Sequence, residues 1–107
     1  MTDYYEICKA AVKRFGEGHQ IIKAMEELGE LTQALAKLVN DAPVTGDVCE
    51  EIADVEIMIE QLKIIIGPEY EMYMLKKKED KMKRLAEILK GFDFFEGRGL
   101  QDNKGEG

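Results

Sequence analysis

The stretch from Val48 to Ile66 most constrains what this chain can fold into. Its apolar residues recur at helical spacing and then spread over more than one face. Turned by about 100° per residue, the step of 3.6 residues per turn, Val48, Ile52, Val55, Met58, Ile59, Leu62 and Ile66 form one stripe. Ala53, Ile57 and Ile64 make a second apolar strip, while Glu56, Glu60 and Lys63 mark the wet side. A helix apolar most of the way round belongs in a deep core. A small chain supplies such a core most readily by self-association, so the stretch predicts a homodimer or a homotetramer.

The helical period runs nearly throughout, and no convincing strand alternation occurs. A first helix is expected from Asp3 to about Arg14, with Tyr4, Ile7, Cys8, Ala11 and Val12 facing inward and Gly16 and Gly18 breaking it. A second runs from about His19 to Asn40, with the stripe Ile21, Ala24, Leu28, Leu31, Leu35 and Leu38. Residues 40–46 compose a turn. Asp47 reads as the N-cap of the third helix, with Glu50 as its capping-box partner. That helix ends at Gly67-Pro68, and a fourth runs on through Leu89 with Tyr70, Met74, Met82, Leu85 and Ile88 among its apolar positions. Four helices on short connections predict an all-α, antiparallel four-helix bundle. The domain is expected to span 1–96, with Phe92, Phe94 and Phe95 folding back onto it. The Gly-, Asp- and Asn-rich stretch 97–107 reads as a disordered tail.

Within this pattern sit two carboxylate clusters, Glu26-Glu27-Leu28-Gly29-Glu30 and Glu50-Glu51-Ile52-Ala53-Asp54. Glu27 and Glu30, like Glu51 and Asp54, are three residues apart and so share a helix face. One such pair alone is an ordinary solvated surface. Here Glu51 falls inside the apolar stripe, between the directions of Met58 and Leu62, and Asp54 falls on its flank. Glu27 borders the stripe of the second helix, Glu30 lies slightly further out, and Lys23 points between them. A carboxylate aimed at a core is costly unless it is paired or bound to metal. Four acids converging between two helices repel one another unless a cation joins them. Hard oxygen ligands of this kind suit Mg2+, which shares its remaining positions with substrate phosphates.

Composition narrows the partners. The net charge of −7 argues against a nucleic-acid binder that depends on neutralising phosphates. No apolar run approaches membrane-spanning length and the first residues lack a signal-peptide pattern. Cys8 and Cys49 have no metal-ligand spacing and read as small buried hydrophobes in a reducing cytoplasm.

Gln20-x-x-Lys23-x-x-Glu26-Glu27-Leu28-Gly29-Glu30-Leu31 followed by Glu50-Glu51-Ile52-Ala53-Asp54-Val55 resembles the MazG-like branch of the all-α nucleoside triphosphate pyrophosphohydrolases. That family carries E-x-x-E and then E-x-x-D on neighbouring helices, and the basic fourth helix (Lys76, Lys77, Lys78, Lys81, Lys83, Arg84) fits it too. The resemblance implies cleavage of a (deoxy)nucleoside triphosphate between its α and β phosphorus, giving a monophosphate and pyrophosphate. It implies Glu27, Glu30, Glu51 and Asp54 as ligands of Mg2+, with Mn2+ as a substitute, and a glutamate of the first pair, Glu27 or Glu30, as general base. Lys78, Lys81 and Arg84, with Lys23, would then meet the pyrophosphate, and Gln20 would take part in substrate binding. His19 and the aromatic residues Tyr4, Tyr5, Phe15 and Tyr73 are further candidates for the base or ribose. No Ser, Cys or His constellation suggests a covalent intermediate, so direct attack by water is the simpler chemistry. A di-iron carboxylate centre is disfavoured, since the lone His19 has Gly16, not a glutamate, three residues before it. A phosphoribosyl-ATP pyrophosphohydrolase shares the motif, and a non-catalytic oligomerisation or regulatory module would need no inward acids.

Overall fold

The computed structural model describes residues 3–92, and these are almost wholly helical, with no strand among them. In order they form α1 (Tyr4–Phe15), α2 (Glu17–Val39), α3 (Thr45–Ile66), a single 3-10 turn (Pro68–Tyr70) and α4 (Glu71–Leu89). None of these helices is long and apolar enough to cross a membrane. The chain divides after Pro68 into two compact units. The expectations for Phe94, Phe95 and the tail from 97 onward lie outside the described residues.

In the first unit, α2 packs chiefly on α3, and α1 lies against both. Asp3 caps α1, its Oδ1 accepting from the Glu6 backbone N–H at 3.1 Å. Only Gly16 separates α1 from α2, and its φ of 95° is a backbone state that side-chain-bearing residues rarely adopt. Gly18 does not break the helix as the sequence suggested; it sits in the first turn of α2. One residue free to take positive φ is enough for the reversal.

The α2–α3 turn closes without glycine. Asp41 takes φ 64°, while Ala42 N–H donates to Lys37 O and Asp41 N–H to Leu38 O. This pair of bonds is the Schellman arrangement that satisfies a helix's last carbonyls. α3 begins three residues before the expected start, with Val44 rather than Asp47 at its N-cap: Val48 N–H already donates to Val44 O at 2.9 Å. Asp47 therefore lies inside the first turn with no side-chain cap. There its charge favours the helix N-terminus through the macrodipole.

The inward faces follow a 3.5-residue seam more closely than a straight 3.6-residue wheel. On α2 the buried residues are Gln20, Ala24, Glu27 and Ala34, with Leu31 half-buried between them. On α3 they are Val48, Val55, Met58 and Gln61, with Glu51, Leu62 and Ile65 half-buried. Alternating steps of three and four are the signature of two helices wound along one contact line. Small Ala24 and Ala34 allow close approach, while Val55 and Met58 supply apolar burial at about 1.5–3 kcal/mol per fully enclosed side chain.

This seam corrects several expected positions. Ile21, Leu28, Leu35 and Leu38 of α2 and Ile52, Ile59 and Ile66 of α3 are exposed rather than inward. So are Ala53 and Ile57, and of the second α3 strip only Ile64 is half-buried. In α1, Cys8 and Val12 are buried but Tyr4 and Ile7 are exposed. Cys49, one position off the seam, is exposed too.

The second unit contains α4. None of its side chains is buried, although Met74, Ala86 and Leu89 are half-covered. Tyr70, Met82, Leu85, Ile88 and Phe92 are exposed.

Candidate metal centre

The seam positions that would ordinarily be apolar carry acids at its middle. Glu27 is buried at 8% exposure on the inward face of α2. Glu51 and Asp54 stand one helical turn apart on α3, half-buried and exposed respectively. One carboxylate oxygen from each of Glu27, Glu51 and Asp54 lies within 4.8 Å of the other two. Opposite ligands of Mg2+ stand about 4.2 Å apart, twice its 2.0–2.1 Å bond length, so small side-chain movements would let three such oxygens share one ion. Glu30 is exposed and outside this triad.

Two oxygens in the cluster are buried without a hydrogen-bond partner, Glu27 Oε1 and Glu51 Oε1. Orphaned carboxylate oxygens are rare in folded proteins because desolvation is not repaid. Burial pushes the Glu51 carboxyl above its ordinary 4.5, and the charges of Glu30, Asp54, Glu27 and Glu50 push the same way. Glu27 is partly compensated, since its Oε2 accepts from Lys23 Nζ at 3.2 Å across one helical turn. That hydrogen bond, and then the Glu27 charge, holds the Lys23 ammonium above its ordinary 10.5, with Glu26 and Glu30 adding to the effect.

An all-carboxylate donor set without histidine or thiol suits a hard cation such as Mg2+ or Mn2+. The residues present therefore fit the ion that the sequence motif implies. They offer concentrated negative charge, two oxygens lacking partners, and an opening at Asp54.

Gln20 is buried on the inward face of α2. Its Nε2 donates to Gln61 Oε1 at 2.7 Å, and its Oε1 lies 2.7 Å from His19 Nδ1. With an oxygen as the acceptor there, Nδ1 is the protonated ring nitrogen of His19. His19 in turn stacks on Phe15, ring centres 5.8 Å apart. Phe15, His19, Gln20, Ile22, Lys23 and Glu26 line a cleft of about 460 Å³. The sequence singled out Phe15 and His19 separately. Their pairing across Gly16 depends on the bend there, which the helical wheel does not contain. That Gln61 opposes Gln20 follows only from the register of α3 against α2.

Tyr4 and Tyr5 are exposed on α1, and the remaining candidates lie on the second unit. Lys78 and Lys81 share one face of α4 with Tyr73, Met74, Lys77, Met82 and Leu85. Arg84 is exposed on the same helix. Lys76 is paired with Asp80 at 2.9 Å, and Lys77 lies over the Tyr73 ring, 5.3 Å from its centre.

No family model matches the chain, nor does any curated protein or solved structure. What the centre does must be read from its own chemistry.

Proposed function

We propose that this protein is a divalent-cation-dependent nucleoside triphosphate pyrophosphohydrolase of the MazG-like kind. It would cleave a (d)NTP between the α and β phosphorus, releasing the monophosphate and pyrophosphate. The observation that carries this reading is the convergence of Glu27, Glu51 and Asp54 with two buried oxygens that have no partner. Such a centre is electrostatically incomplete alone, and a hard cation bound to phosphates completes it. Glu27, Glu51 and Asp54 would hold Mg2+, or Mn2+ in its place. When bound, the ion neutralises charge on the phosphate oxygens and acidifies a water. Glu30, outside the triad yet close enough to raise Glu51, is the first-pair glutamate left to accept the proton of the attacking water. Lys78, Lys81 and Arg84 of the second unit are further phosphate-binding side chains only as the family resemblance implies them.

The working form is a homo-oligomer, a dimer or a dimer of dimers, in the cytoplasm. Ile21, Leu28 and Leu35 each follow a seam residue of α2 by one, as Ile52, Ile59 and Ile66 do on α3, and all six are exposed. In an antiparallel helix pair, positions so related fall on the same side. A continuous apolar face of this length is what a second copy would cover.

The test is a panel of canonical and damaged (d)NTPs and phosphoribosyl-ATP with Mg2+, scoring pyrophosphate against orthophosphate. Pyrophosphate release that is abolished by Glu51→Gln is the expected result. Orthophosphate as the primary product excludes α–β cleavage, and no turnover of any compound favours a regulatory helical module.

A further inference from the structure

Lys23 is both the sole ion-pair partner of the buried Glu27 among the described residues and a wall of the adjoining cleft. Its side chain is about half exposed, whereas that of Glu27 is nearly enclosed. The ammonium can therefore swing away through solvent, while the carboxylate must stay in the seam. A dication among Glu27, Glu51 and Asp54 would compete with Lys23 for the same Glu27 carboxylate and repel its positive charge. The cleft beside it, with Phe15, His19 and Ile22, is where a released Lys23 has room to go.

We propose that Lys23 is a displaceable counter-ion: it neutralises Glu27 while the acid centre lacks a cation, and cation binding turns it towards the cleft, where it creates an anion site for the phosphates of the ligand. The inference deepens the acid-centre reading and rests on it. Metal and anion binding are then coupled, and each strengthens the other by the same factor. An anion arriving before the cation meets a lysine already engaged, beside uncompensated carboxylates. Ordered loading follows from the charges alone.

Two measurements test this on the full chain. In the first, Lys23 acetylation by an N-hydroxysuccinimide ester is followed by peptide mass spectrometry, with the exposed Lys13 of α1 as reference. Saturating Mn2+ should raise the Lys23 rate several-fold and leave Lys13 unchanged; Glu27→Gln should show the fast rate with or without Mn2+. In the second, calorimetry compares wild type with Lys23→Met. The variant should bind Mn2+ alone about five- to tenfold more tightly, the scale of one ordinary net hydrogen bond relieved of competition. It should bind the preformed Mn2+–pyrophosphate complex more weakly than wild type. Opposite signs for the two ligands distinguish displacement from a merely structural ion pair, whose loss would weaken both. Mn2+ bound by calorimetry with Lys23 reactivity unchanged, or the same sign of change for both ligands, overturns the displacement and leaves the acid centre standing. Absence of Mn2+ binding in wild type overturns both.

Discussion

The Gln20 side-chain amide donates to Gln61 Oε1 over 2.7 Å, joining the first turn of α2 to the last turns of α3 inside the buried seam. Because both residues occupy positions that flanking turns fill with apolar groups, the bond fixes which residues of the two helices face each other. Glu27 meets Asp54 only in that register. Removing one partner should leave a buried amide unsatisfied, so Gln61→Ala is expected to cost about 1–3 kcal/mol. Urea unfolding of Gln20→Ala, Gln61→Ala and the double variant checks this. The double variant should cost clearly less than the two single losses added together, and strict additivity would mean that the bond contributes no coupling.

The elevated Glu51 carboxyl gives the cation-free protein a distinctive pH dependence. Its pKa in the folded chain lies above the ordinary 4.5, so the folded state holds this proton more tightly than the unfolded state. Stability from this group is therefore greatest below 4.5 and falls as pH rises through the folded value. Glu51→Gln, which stays neutral, should lack that decline. Melting temperatures of wild type and variant across pH 4 to 8 in a chelator supply the comparison. The variant should gain on wild type as the pH rises, and parallel curves would show that Glu51 titrates normally.

The all-α class is legible in the sequence because apolar spacing and the breaks at Gly16 and Gly67-Pro68 are local properties. The acids are legible for the same reason: Glu51 among Met58 and Leu62 contradicts its surroundings. Orientation is another matter. A straight wheel averages over the α2 stripe and turns Ile21, Leu28 and Leu35 inward, whereas packing against α3 follows the 3.5-residue seam and selects Ala24, Glu27 and Ala34. Glu27 thus moves from the border of the stripe to its centre. The Gln20–Gln61 bond and the Phe15–His19 stack need the relative placement of elements, which no periodicity within one helix contains. The start of α3 at Thr45 escaped because Asp47 and Glu50 match a capping box that the backbone does not use.

A divalent cation should stabilise the folded chain saturably. Binding to the folded state alone adds about 2.7 kcal/mol when the free ion is a hundredfold above its Kd. Thermal melts over a Mn2+ titration should therefore rise, and Asp54→Asn, which neutralises the exposed member of the triad, should blunt the rise. A similar Mn2+ response in Asp54→Asn would move the ion elsewhere. Glu50→Gln is the control, since Glu50 is exposed and outside the triad.

The two glycines around the α1–α2 junction should respond to alanine with opposite signs. Neither would meet a steric obstacle, for a methyl group at Gly16 or Gly18 touches nothing within 4 Å. Backbone conformation alone separates them. Gly16 sits at φ 95° and ψ 147°, where a Cβ is strained, so Gly16→Ala should cost about 1–3 kcal/mol, the scale of holding a side-chain-bearing residue in a region that glycine alone enters freely. Gly18 lies in the first turn of α2 with no such φ. Gly18→Ala should gain about 0.4–1 kcal/mol, chiefly by reducing the freedom of the unfolded chain. Because Gly16 is the single residue linking α1 to α2, the strained variant should also loosen the contact between Phe15 and His19. Comparing unfolding free energies of the two variants is a direct check. Equal effects would mean that the junction relaxes to negative φ and that α1 does not depend on the bend seen here.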